Sequence, residues 1–208
     1  GNWLDEFEKN VESIGGNWPQ SNCIIGFRRH DELVGSLYKQ YLHQGGSENV
    51  KFLFSPDGSG KIRPSGLSFQ RRVEISKAHF SGVFVYTQEE LKHNFQSFLR
   101  RLEDFLGVGK IRRERINRSQ KNVGVKTNLQ VGLLRRLNRI DASLRNSPMP
   151  TLHNSIFRKL GLTPRSLCQH RLRGVGREQW ALPKEIKKFL RNQFADDWEY
   201  IREVSSRN

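Results

Sequence analysis

The chain has 208 residues, of which 35% are hydrophobic and 10% aromatic, and its formal net charge is +15. Apolar residues in that proportion, with Trp and Phe spread from Trp3 to Trp198, exclude disorder over the whole chain, and the length suits a single domain with a real core. The excess of Lys and Arg points to a polyanionic partner: nucleic acid, an anionic membrane surface or a phosphate-rich small ligand. No run approaches the roughly 20 apolar residues that span a bilayer, and no signal peptide is visible, so the expected location is cytoplasmic. The chain opens on Gly1-Asn2-Trp3 rather than on Met, which leaves the missing targeting segment little weight. Two cysteines, Cys23 and Cys168, make no disulfide framework, and Cys23 reads as a buried strand thiol.

Leu4, Phe7, Val11 and Ile14 recur at helical spacing, predicting a short amphipathic helix that Gly15-Gly16 ends. Residues 22–27 form a compact apolar run, predicting a strand buried on both faces. Asp31 is then the expected N-cap of a helix carrying Leu33, Val34, Leu37, Tyr38, Tyr41 and Leu42 and stopping at Gly45-Gly46. Residues 47–81 read as a long irregular excursion. Gly82–Tyr86 is a second buried strand, feeding one helix from Gln88 to Leu106 with Gly107 as its stop. Residues 110–120 read as a basic loop and 128–144 as a helix. A Pro-punctuated stretch covers 146–165, and one last helix runs from Pro183 to Val204. Strands alternating with helices imply an α/β layer architecture with a parallel sheet.

Most motifs that could carry chemistry fail on spacing. Gly58-Ser59-Gly60-Lys61 lacks both ends of the nucleotide-binding loop, since position 55 is Ser and position 62 is Ile. The six histidines show no zinc-site spacing, and no Gly-x-Ser-x-Gly elbow is present. The unit from Asn22 to Tyr38 differs. Arg28 closes a strand and Ser36 lies eight positions later in the following helix, where open α/β sheets bind ligands. A guanidinium grips phosphate bidentately and a hydroxyl adds a further hydrogen bond.

Ile24-Ile25-Gly26-Phe27-Arg28-Arg29-His30-Asp31, followed by Ser36, resembles the 3′-phosphate motif of sulfotransferases that use 3′-phosphoadenylyl sulfate (PAPS). The turn departs, with Arg-His-Asp where the family favours Asn-Pro-x-Asp. Val83–Leu91, ending in Phe105-Leu106-Gly107, is similar to the family's Tyr-Glu-Asp-Leu strand and helix, which puts Tyr86 near the adenine. Arg171-Leu172-Arg173-Gly174-Val175-Gly176 more loosely resembles its late Arg-Lys-Gly-x-x-Gly loop, implying that Arg173 and Gly174 approach the 3′-phosphate.

The resemblance implies a three-layer αβα domain, P-loop-like, with a central and mainly parallel sheet, as one partial domain over residues 1–208. It implies sulfuryl transfer from PAPS to an acceptor hydroxyl of a carbohydrate, lipid or small molecule, with adenosine 3′,5′-bisphosphate as product and no metal. Arg28, Ser36 and Arg173 would anchor the 3′-phosphate. The excursion at 47–81 would meet the acceptor. The family's opening strand and Gly- or Ser-rich loop, with its catalytic Lys, finds no counterpart ahead of Arg28, so the catalytic residues are unassigned. Two other readings stand beside it: a nucleic-acid or polyanion binder using Arg112, Arg113, Arg115, Arg118 and Lys121, and a non-catalytic domain of the same fold.

Overall fold

The computed structural model describes residues 3–110, 125–145, 176 and 178–207. The fold is α/β, mostly helical around a small parallel sheet. The chain divides into two compact units, with one boundary inside a helix after Leu33. The first unit comprises Gly1–Leu33, Phe54–Arg118 and Lys184–Asn208, and the second Val34–Leu53 and Ser119–Pro183.

In the first unit, β1 (Asn22–Phe27) pairs in parallel with β2 (Gly82–Thr87), from Asn22 opposite Gly82 to Phe27 opposite Thr87. Side chains alternate across a pleat, so the odd-numbered residues share one face. Phe27 and Val85 on that face form the core with Phe69 and Val73 of α4 (Phe69–His79) and Ile201 of the C-terminal helix Ala195–Arg207, here α9. Each such buried side chain contributes about 1.5–3 kcal/mol of transfer free energy. On the even face Phe84 is fully buried against Phe98 and Phe105 of α6 (Phe95–Leu106), at ring separations of 5.9 and 5.4 Å. That cover stops at β2. Ile24, on the same face of β1, is 48% exposed, so β1 is not buried on both faces as its apolar run predicts. Cys23 is a free thiol, half-buried, and burial pushes its pKa up.

Several helices differ from their sequence pattern, each for a local reason. The first, α1 (Trp3–Asn17), continues through Gly15-Gly16. A Cβ on Gly15 would lie 2.8 Å from His79 Cβ and from His79 O, so this glycine serves the close approach of α1 to α4 rather than a stop. The irregular excursion contains α4, preceded by a 3-10 turn at Pro64–Leu67. The expected helix from Gln88 to Leu106 breaks at Asn94 into α5 (Gln88–His93) and α6, while Gly107 ends α6 in the left-handed region at φ 62°. Phe194 likewise divides the last helix into α8 (Lys184–Gln193) and α9.

The sequence gives no hint of what seats α4. Asp197 of α9 reaches across to its amino end, where Oδ2 accepts from Phe69 N at 2.9 Å and Oδ1 from Gln70 N at 2.9 Å and Ser68 Oγ at 3.2 Å. First-turn amides have no partner within their own helix, and the macrodipole favours a negative charge there. The same carboxylate lies 3.1 Å from His30 Nε2, which is also 3.0 Å from Leu67 O. His30 begins α2 (His30–His43) and is 1% exposed, its ring stacked between Phe69 at 3.8 Å and Phe194 at 4.4 Å. Burial pushes the Asp197 pKa up, but the hydrogen bonds from His30 and from the Gln70 and Phe69 amides outweigh it and hold the carboxyl below its usual range.

In the second unit the rest of α2, the single turn α3 (Val50–Leu53) and α7 (Asn128–Arg145) bury Val34, Tyr38, Leu42, Leu53, Val131 and Leu134. Thr127 and Gln130 form a reciprocal capping box at the start of α7: Gln130 N donates to Thr127 Oγ1 and Thr127 N to Gln130 Oε1, each at 3.2 Å. Asn138 Nδ2 donates to Leu42 O and Gly46 O, both at 2.7 Å, satisfying carbonyls at the end of α2.

Asp197→Asn is expected to destabilise the fold by about 2–3 kcal/mol, since charge-assisted bonds to two amides and an imidazole are weakened. The folded pKa is depressed, so the Asp197 contribution is complete above the unfolded aspartate value of about 3.9 and is lost as pH falls through the lower folded value. Urea denaturation as a function of pH measures both effects. Wild type should lose stability on the acid side more steeply than Asp197→Asn, and parallel acid limbs would contradict this assignment.

Candidate anion site at the strand ends

Parallel pairing brings the residues that follow the two strands together. Phe27 lies opposite Thr87, and one residue on, Arg28 Nη2 donates to Gln88 Oε1. Arg28 is half-buried, so its charge sits at the carboxyl ends of both strands with part of its donor fork solvated. Helix α5 starts directly from β2, with Thr87 Oγ1 accepting from Glu90 N at 3.1 Å. The Thr-x-x-Glu pattern here is only half a capping box, because the Glu90 carboxylate is drawn away to Arg101 and Ser205. Glu89 Oε2 is buried with no hydrogen-bond partner among the described residues.

Tyr86 stands on the even face of β2, its ring edge-on to Phe98 at 5.1 Å. It lies over Gly26 of β1, where a Cβ would come within 2.4 Å of Tyr86 Cζ and 2.5 Å of its hydroxyl. Gly26 therefore belongs to the site: only a residue without a side chain lets the ring lie across the sheet.

Below Arg28, Asp31 gathers two further cations. One oxygen accepts from Arg29 Nε at 2.8 Å and the other from Arg191 Nε of α8 at 2.9 Å. Asp31 is 5% exposed, and burial alone would raise its pKa. The hydrogen bonds and charges of Arg29 and Arg191 win and hold it low. Asp31 therefore ties α8 to the start of α2 and is not the N-cap that its position suggests. The carboxylates of Asp31, Glu32 and Glu89 accompany the three guanidinium groups at this end of the sheet, and Arg28, bonded to the neutral Gln88 rather than to a carboxylate, is the cation that suits an anion.

Arg28 follows β1 and Tyr86 is the penultimate residue of β2, so the two lie at adjoining strand ends. Ser36 is half-buried on the part of α2 that belongs to the second unit. Arg173 and Gly174 lie outside the described residues, as do Arg112, Arg113, Arg115, Arg118 and Lys121. Gly58-Ser59-Gly60-Lys61 sits in an exposed turn where Asp57 accepts from Ser59 Oγ at 2.7 Å and Ser59 N at 3.0 Å, lowering the Asp57 pKa to about 2. A carboxylate already fills the place a phosphate would need. No group of three or more metal-ligating side chains occurs among the described residues, and no described helix is long and apolar enough to cross a membrane.

Sequence reasoning missed His30, Asp197 and Arg191. The signal for His30 and Asp31 was their place directly after a strand-ending Arg, but the partners Asp197 and Arg191 lie 160 or more residues away and leave no local trace. No protein-family model, no curated protein and no solved structure matches the chain.

Gly26→Ala is expected to cost about 1–3 kcal/mol through overpacking against Tyr86. The same change made in a Tyr86→Ala background should cost far less, because the clash is with that ring. Equal losses in the two backgrounds, read by thermal or urea denaturation, would remove Gly26 and Tyr86 as a coupled pair.

Proposed function

We propose that the carboxyl ends of β1 and β2 bind the 3′-phosphate of a bisphosphorylated adenosine, and that the chain is the nucleotide-binding part of a sulfotransferase-like three-layer domain. The observation that carries this reading is Arg28, held at the joined ends of two parallel strands with the Tyr86 ring beside it. Arg28 supplies a charge-assisted fork for the phosphate, oriented by Gln88, and Arg29 and Arg191 add positive potential around Asp31. Tyr86 offers a flat face fixed by Phe98 to an aromatic base. The reaction served is in-line transfer of a sulfuryl group from PAPS to an acceptor hydroxyl, which needs cations and amides around the moving group. Residues 3–17 ahead of β1 are helical, so the strand and donor loop of that chemistry are not among them, and no described residue is assigned as base or catalytic Lys.

A basic stripe favours a second reading. Lys184, Lys187, Lys188 and Arg191 share one face of α8, a geometry that suits a polyanion. The two readings separate on ligand size, since a nucleotide site saturates with one small molecule and a stripe needs a long polymer.

Calorimetry with adenosine 3′,5′-bisphosphate should give one saturable site whose affinity falls with salt. Arg28→Ala should weaken it about thirtyfold, the equivalent of about 2 kcal/mol. Equal affinities in the two proteins would remove Arg28 as the anchor, and binding only by long polyanions would favour the α8 stripe. With radiolabelled PAPS and sugar, phenol and lipid acceptors, the 208-residue chain should bind without turnover. Losing one donor to transition-state charge commonly costs a hundredfold or more, and here the set around the sulfuryl group is unassigned. Robust transfer would show that the donor loop lies within these residues.

A further inference from the structure

A cavity of about 280 Å³ opens beyond Thr87 at the carboxyl end of β2, bounded by α5, α6 and α9. All its lining side chains are polar, and they include two guanidinium groups, Arg101 and Arg202, against one carboxylate, Glu90. That carboxylate is fully engaged, one oxygen by Arg101 Nη2 and the other by Ser205 Oγ at 3.1 Å. Arg101 is held in place by Ser205 O and by the Phe84 ring 5.2 Å beneath its guanidinium carbon. The cavity wall therefore carries two guanidinium charges against one carboxylate, which Arg101 pairs, leaving an excess of one positive charge. Two further polar side chains stand on the same face of α6 as Arg101: the Ser97 hydroxyl, which makes no hydrogen bond among the described residues, and Asn94, which gives α6 no side-chain cap. Arg202 leans on the exposed Glu199 at 2.9 Å, a contact weak enough to yield to a ligand.

We propose that this cavity is a second anion site, distinct from the one at Arg28, for a compact tetrahedral oxyanion such as phosphate or sulfate. The volume is many times that of one water and below the range of drug-sized pockets, so it fits the free ion or a small monoester. Arg101 and Arg202 supply charge, while Ser97 and Asn94 supply directional donors, the combination that fixes oxyanions elsewhere in proteins. The site stands on its own residues and does not depend on the nucleotide reading.

The test is titration of the 208-residue protein in phosphate-free buffer with inorganic phosphate and with methyl phosphate, followed through backbone amide resonances. Saturable shifts at Asn94–Phe98 are expected, with affinity about tenfold lower in Arg202→Gln, an exposed position whose change leaves folding intact, and somewhat lower in Ser97→Ala. Arg28→Ala should leave these shifts unchanged, which separates failure here from failure at the strand ends. Tighter binding of methyl phosphate would identify a monoester as the ligand, and equal binding the free ion. Shifts that do not saturate, that centre on Arg28 and Gln88, or that persist equally in Arg202→Gln would overturn the proposal.

Discussion

The Asp197 carboxylate is the interaction on which the first unit depends. A helix of eleven residues with two arginines in its first turn has little reason to form alone, and α4 carries only a weak apolar stripe. Asp197 supplies what it lacks, a negative charge against the unpaired amides of its first turn. The same carboxylate reaches His30 through Oδ2, so one group fixes the start of α4, the start of α2 and the first turn of α9 together. Burying that charge is tolerable because every lone pair is directed at a donor. His30 completes the arrangement by stacking between Phe69 and Phe194, which turns a polar contact into part of the core.

Part of the positive charge is structural. Arg29 and Arg191 converge on Asp31, Arg101 on Glu90, and Arg72 on the carbonyl of Gly66 beneath the rings of Trp3 and Phe7. Burial pushes the Arg72 pKa down, yet the group stays cationic because its ordinary value is so high. Acidic residues are fewer than basic ones, 21 against 36, and Asp31 and Asp197 sit where one carboxylate holds several donors. A net charge of +15 is therefore not all available to a partner. What remains at the surface biases the chain towards anions without selecting one.

The sequence makes the strands, the helix after each of them and the Gly107 stop legible, because these follow from periodicity and local chemistry. The start of α7 is legible for the same reason: Thr127 and Gln130 have the spacing of a reciprocal cap and form one. What periodicity misses has distant causes. Gly15 reads as a stop because its neighbour His79 is 64 positions away in sequence, and α4 reads as irregular because Asp197 is more distant still. Asp31 looks like a cap until Arg191 is beside it. At the candidate site, the strand context marks Arg28 and Tyr86, but nothing local shows that Gly26 must be glycine. That requirement belongs to the neighbouring strand's ring.

A binding site at the ends of two parallel strands can be no more rigid than the sheet beneath it, and two strands alone make a poor scaffold. Here the rigidity comes from the helices. Val85 and Phe27 are clamped by α4 and α9 on one face, Phe84 by α6 on the other, and the chain leaving β1 enters α2 through His30, which the core holds by its ring. Arg28 lies between two fixed points, Phe27 in the sheet and His30 in the stack, with Gln88 at the start of α5 setting its guanidinium. The backbone on both sides of Arg28 is thus determined before any ligand arrives, which lowers the ordering cost of binding. The same dependence would couple stability to the proposed anion site. Loosening Asp197, far from Arg28 in sequence, frees the amino end of α4 and the His30 ring, and through them the one arginine that closes β1.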